Sequence, residues 1–178
     1  MKSTTTPNSA AKDGASARKQ IPSFRRVLVT TDLSAFGNAA IAHAYSLLSA
    51  GGLVRVVHIE KPFEFANPAH AHHAPLVPRL AAQRKRQLQR CGEALQKLIP
   101  ATAGDRDIAT EIAVLHEDAP AAAICREADH FGADVVCMAS HGRSGLVRTI
   151  TGSVTQAVMA RATCPLLVIF PKRRGRGA

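Results

Sequence analysis

Tryptophan is absent, tyrosine occurs once and the six phenylalanines are scattered, so the chain has no aromatic platform on which bases could stack. No run approaches the roughly 18–20 apolar residues that a membrane span needs. Met1 to Gln20 is rich in Ser, Thr, Ala and Lys and lacks the apolar stretch of a secretory signal, so the expectation is a cytoplasmic protein with no membrane partner. The four cysteines, Cys91, Cys125, Cys137 and Cys164, match no CxxC spacing and read as buried, reduced thiols. There is no Walker A sequence and no GxGxxG, no SGGxDS or HxGH signature, and no Ser-His-Asp, Cys-His or paired-carboxylate constellation. An efficient hydrolase is therefore unsupported.

What is present begins with charge. The formal net charge is +10, but it is uneven. Met1 to Arg26 carries Lys2, Lys12, Arg18, Lys19, Arg25 and Arg26 against Asp13, and the end adds Lys172, Arg173, Arg174 and Arg176. Val27 to Phe170 is close to neutral. The basicity belongs to two tails, which attract polyanions non-specifically and with strong salt dependence; no specific nucleic-acid reading follows. With 178 residues and 46% hydrophobic composition, the expectation is a disordered basic tail over 1–23, one folded domain over 24–170 and a basic C-terminal tail over 171–178.

Along the folded part, apolar strand-like runs alternate with helical periodicity. Phe24 to Thr30 predicts the first strand. Ser34 is a plausible N-cap for an alanine-rich helix that the pair Gly51-Gly52 would end. Leu53 to Ile59 predicts the second strand, and Glu60 to Pro78, with its prolines and histidines, an irregular excursion. A long helix from Arg79 places Leu88, Cys91, Leu95 and Leu98 on one face, with the basic residues Arg79, Arg86, Arg90 and Lys97 on a solvated one. Ile108 to Val114 predicts a third strand, Pro120 to Gly132 a helix, Asp134 to Met138 a strand buried on both faces, Ser153 the start of a short helix, and Pro165 to Phe170 the last strand. Such alternation predicts an α/β fold, a doubly wound parallel sheet with helices on both faces. Ligands on such sheets gather at the carboxyl ends of the strands.

That edge receives Thr30, Thr31, Asp32 and Ser34 after the first strand, His58 and Ile59 after the second, and Met138 followed by Ala139-Ser140-His141-Gly142-Arg143-Ser144-Gly145 after the fourth. Gly152, Ser153 and Val154 close this loop. A glycine-containing loop that runs into a helix start presents backbone N–H groups to phosphate; a turn glycine followed by a capping serine is an equally good reading of the same residues. His58 reads as a packed or half-exposed histidine, and His70, His72 and His73 as at most a weak adventitious metal site.

The stretch from Ala139 through Ser140, His141 and Gly142, nine further residues, then Gly152-Ser153-Val154 resembles the glycine motif of the universal stress protein (UspA-type) family. The Thr31-Asp32-Leu33-Ser34 segment and the Cys164-Pro165 lead-in to the last strand are also similar to that family. The resemblance spans roughly Arg25 to Phe170. It implies an adenine-nucleotide-alpha-hydrolase-like fold with five strands in the order 3-2-1-4-5. It also implies a stress-response protein that binds ATP, with Mg2+, at the carboxyl edge, and that is not an enzyme beyond a weak ATPase. By position Asp32 would lie beside the adenosine and the Ile59 backbone would face adenine. Gly142, Gly152, Ser153 and Val154 would take ribose and phosphates, with Thr30, Thr31, Met138, Ala139 and Arg143 completing the site. Ala139 departs from the motif, which has glycine there. If that position required positive φ, alanine would be strained by roughly 1–2 kcal/mol; if only close approach is needed, one methyl shifts the ribose.

Pro165 to Phe170 is uncharged and falls at the sheet edge in this order. Both that composition and the resemblance predict a homodimer through the last strand, acting on protein partners. The alternatives are a UspA-like dimer that has lost nucleotide binding, and an ATP-cleaving enzyme on the same scaffold.

Overall fold

The computed structural model describes residues 23–61, 76–140 and 152–170. Strand β1 (Phe24–Thr31) leads to helix α1 (Ala39–Leu47) and strand β2 (Leu48–Glu60). Helices α2 (Leu76–Gln96) and α3 (Thr102–Asp105) precede β3 (Ala109–His116). Helix α4 (Pro120–Phe131), β4 (Val135–Ala139), α5 (Ser153–Met159) and β5 (Leu166–Ile169) complete the order. The sheet runs β3-β2-β1-β4-β5, with every neighbouring pair parallel. The expected strand order and doubly wound architecture are both present. The expected tails fall almost wholly outside the described residues.

Alternation along the central strands builds two cores. Val27, Val29, Val54, Val56 and Cys137 point to the face covered by α1 and by Leu95 of α2. Leu28, Val57, Val136 and Met138 point to the face covered by α4 and α5. Because β4 is buried on both faces, VVCM can be apolar throughout. Burial pushes the Cys137 thiol up to about 12, and all four cysteines are free thiols.

The amino ends of β1 and β4 are locked by polar contacts. The Asp134 carboxylate accepts bonds from the Arg25 and Arg26 amides at 2.7 and 2.8 Å. Phe131, 2% exposed, closes α4 between the guanidinium groups of Arg26 and Arg55, which lie 4.4 and 4.3 Å from its ring centre. Burial opposes the Arg55 charge, but bonds to Glu111 and Glu127 more than offset it and hold the guanidinium above its ordinary range.

Helix α2 begins at Leu76, three residues before the expected Arg79, and the boundary between α1 and β2 differs more. Helix α1 does not run to Gly51-Gly52; it stops at Leu47, and Leu48 is already extended at φ −83°, ψ 142°. The carbonyls of Tyr45 and Leu48 are capped by the Arg106 guanidinium, which does from a distance what a terminal glycine does locally. Gly51, at φ +76°, instead sits in an irregularity of β2, where Phe24 pairs with Leu48 but Arg26 pairs with Leu53. A side chain at Gly52 would collide with Leu48.

Candidate functional site

In this strand order the chain moves outward from β1 through β2 to β3, then crosses back to place β4 on the other side of β1. The carboxyl ends of β1 and β4 therefore splay in opposite connections, which is where open α/β sheets form a crevice. A cleft of about 290 Å³ opens there.

One wall is the turn after β1, ordered by its own polar groups. Thr31, buried, accepts the Leu33 amide on its hydroxyl at 2.9 Å and donates to the Asn38 side-chain oxygen at 2.7 Å. The Ser34 amide donates to Asp32 Oδ1 at 3.0 Å, and the Gly37 amide to Ser34 Oγ at 2.9 Å. Ser34 thus caps the turn that leads into α1 rather than the helix itself, which begins at Ala39 without a side-chain cap. Leu33 is held at φ +63°, a left-handed conformation costing a non-glycine residue about 1–3 kcal/mol. The surrounding bonds and the packing of Leu33 on the α1 core offset it. The result is a fixed position for the Asp32 carboxylate, which packs so closely on Gly37 that a Cβ there would lie 2.0 Å from Oδ1.

The opposite wall comes from β4 and α5. Ser140, 2% exposed, donates its amide to the Ile169 carbonyl at 2.9 Å and accepts the Gly152 amide on Oγ at 3.0 Å. That pair of bonds draws the residues on either side of segment 141–151 together. Gly152, not Ser153, is the N-cap of α5, and no side chain caps the helix; Ser153 is the first helical residue and is exposed.

Of the residues singled out in the sequence, Thr30, Thr31, Asp32, Ile59, Met138, Ala139, Gly152, Ser153 and Val154 all line this one cleft. Gly142, Arg143 and the histidines at 70, 72 and 73 lie outside the described residues. Ala139 is not among the residues with positive φ, so alanine is unstrained there; it packs against the α1 core. Sequence reasoning missed Gly37, Val57, Pro120, Ile124 and Thr155 in the lining. The apolar members carry no signal that separates a site wall from a core, whereas Gly37, three residues after Ser34, did.

Chemically, Val57, Ile59, Ile124 and Met138 give the cleft an apolar side, while Thr30, Thr31, Asp32, Ser153 and Thr155 make it polar elsewhere. Among the described residues its only ionisable side chain is that of Asp32. Such a lining suits a ligand with one flat apolar part and one hydroxylated part.

The model of the Universal stress protein family matches residues 23–169. Among solved structures, the hypothetical protein MJ0577 is 22% identical with a TM-score of 0.61, over 85% of this chain and 99% of its own. Universal stress protein UspA from Lactobacillus plantarum is 22% identical with a TM-score of 0.58, over 84% and 99%. A universal stress protein in complex with cAMP is 23% identical with a TM-score of 0.52, over 84% and 98%. No curated protein matches the chain.

Proposed function

The chain belongs to the universal stress protein family, and we propose that it binds ATP, with Mg2+ on the phosphates, in the cleft at the carboxyl edge. In this reading it acts as a cytoplasmic homodimer whose nucleotide state is read by protein partners, with at most a weak ATPase activity. The observation that carries the reading is the composition of the cleft at the strand-order switch. Its apolar side suits the faces of a purine, and the Asp32 carboxylate in its lining is an acceptor suited to ribose hydroxyls. At about 290 Å³ it lies at the small end of ligand clefts, which span roughly 300–1,000 Å³; it suits a nucleoside, with phosphates running outward. Ser153, Gly142 and Arg143 are the residues to meet those phosphates. The cAMP complex of a protein with this fold makes an adenine nucleotide the first ligand to test.

The single carboxylate, with no histidine or cysteine beside it among the described lining residues, supports a binding site more than a reaction centre. The Gly152 amide is engaged by Ser140, so phosphate would have to compete for it. This is the one feature that favours the nucleotide-free dimer. Mass analysis of small molecules released from the denatured protein, followed by calorimetry with Mg-ATP, decides between the two. Recovered or titratable ATP supports the proposal; an empty protein that gives no heat with Mg-ATP overturns it.

A further inference from the structure

On the face of β2 opposite the cleft, the residues that continue Val54 and Val56 are His58 and Glu60, two apart and therefore on the same side. Cys91 of α2 covers them. One ring nitrogen of His58, a carboxylate oxygen of Glu60 and the Cys91 sulfur all lie within 4.8 Å of one another. From these groups we infer that the chain carries a binding site for a divalent transition metal of the zinc class, with His58, Glu60 and Cys91 as ligands.

Three further observations separate this cluster from an ordinary hydrogen-bonded patch. The Thr31 carbonyl lies 2.9 Å from His58 Nδ1; a carbonyl can only accept, so Nδ1 carries the proton and Nε2 keeps the lone pair that a metal takes. The Gln87 amide donates to Glu60 Oε1 at 2.7 Å, fixing the carboxylate as outer partners of metal ligands do. His116, paired with Glu60 in the β2–β3 register, has Nδ1 3.8 Å from Glu60 Oε2, and its buried Nε2 has no hydrogen-bond partner among the described residues. A buried nitrogen without a partner calls for an ion or water; His116 stands beside the three-residue group, against Glu60, without being one of its members. The Cys91 thiol now donates to Glu60 at 3.4 Å; on metal uptake that proton leaves to solvent and the sulfur bonds the ion. One sulfur, one imidazole and a carboxylate select zinc or its analogues over magnesium, which takes oxygen ligands. The site is therefore distinct from any Mg2+ that accompanies a nucleotide.

The test uses the full chain, stripped with a chelator and kept reduced, without nucleotide and with excess Mg2+. Zn2+ should bind at one ion per chain, and Co2+ in its place should give a thiolate-to-cobalt absorption band. Cys91→Ala and Glu60→Gln should each weaken Zn2+ binding by at least about 100-fold, and Cys91→Ala should abolish the band. On the wild-type chain, Zn2+ should slow alkylation of Cys91 and leave Cys125 and Cys164 unaffected, a measurement that stands even where a variant fails to fold. Absence of Zn2+ binding, binding that survives both substitutions, or binding that leaves Cys91 alkylation unchanged overturns the proposal. So does binding that is lost instead on replacing His70, His72 and His73 with alanine.

Discussion

Gly37→Ala tests whether the cleft depends on one fixed carboxylate. The new Cβ would lie 2.0 Å from Asp32 Oδ1, 3.1 Å from Asp32 Cγ and 3.1 Å from Ser34 Oγ. Because Gly37 is not at positive φ, backbone conformation does not oppose the change; the collision alone does. Asp32 has a short side chain, so its carboxylate swings away and gives up the Ser34 amide, while Ser34 Oγ loosens its hold on the Gly37 amide. Each such bond contributes about 0.5–1.5 kcal/mol net, and water replaces part of it at this exposed turn. The expected cost is about 1–2 kcal/mol, which lowers Tm by about 2–8 °C in a chain of this size.

Nucleotide binding should suffer more than stability. A carboxylate that accepts a hydroxyl contributes about 1.5–3 kcal/mol, so its displacement should weaken Mg-ATP by about 10- to 100-fold. Asp32→Ala should do the same, and the double variant should be no weaker than either single one, because both changes remove one interaction. The double variant should melt close to Asp32→Ala, because the collision with the carboxylate has gone while both proteins lack the bond from the Ser34 amide to Asp32. Calorimetry and thermal melts of the four proteins measure all of this. Wild-type affinity in Gly37→Ala, or losses that add in the double variant, would refute the reasoning.

Phe131→Ala should cost about 3–5 kcal/mol in denaturant melts, and Phe131→Leu about 1–2 kcal/mol through loss of the two guanidinium contacts; a leucine variant as stable as wild type would remove those contacts from the account. The Cys137 thiol holds its proton up to about pH 12 when folded against an ordinary 9.0, so the unfolded chain loses that proton first. Stability should fall as pH rises from about 9 to 12, by on the order of 1.4 kcal/mol per unit from this group, and Cys137→Ala should show a shallower alkaline decline. The carbonyls of Pro165 and Ile169 bond inward to β4, so the period of two turns the Val168 amide outward. Val168→Pro should therefore convert the proposed dimer to monomer in light scattering without breaking the β4–β5 ladder, whereas a single-chain mass for wild type at micromolar concentration would sink the dimer. Removing Met1–Pro22 and Lys172–Ala178 should abolish any salt-sensitive affinity for nucleic acid and leave Tm within a few degrees.

The fold was legible where local pattern and tertiary demand agree. Val135 to Met138 can be apolar without interruption only in a strand covered on both sides, and Pro120 and Gly132 bracket α4 by chemistry that acts within one turn. The end of α1 was not legible, because it is set by Arg106, a residue distant in sequence. With the helix stopped by that guanidinium, Leu48 is free to begin β2, and Gly51-Gly52 serves a sheet irregularity instead. Short α3 carries no periodic signal of its own.

The same division holds for the two candidate sites. The candidate cleft is written in loops that follow strands, where the residue types of Asp32, Gly152 and Ser153 stand out from an apolar core. Its apolar side does not stand out, because Ile124 and Val57 would look the same in any core. The cluster of His58, Glu60, Cys91 and His116 is less legible still, since its spacings match no ligand motif. Only the β2–β3 register brings Glu60 beside His116, and only the packing of α2 brings Cys91 over His58 and Glu60. Polar groups buried there are costly to leave incompletely satisfied, and among the described residues the His116 Nε2 has no hydrogen-bond partner. A packed histidine, the reading that sequence favours for His58, accounts for one ring; it does not account for a ring nitrogen, a carboxylate and a thiol gathered within 4.8 Å between β2 and α2.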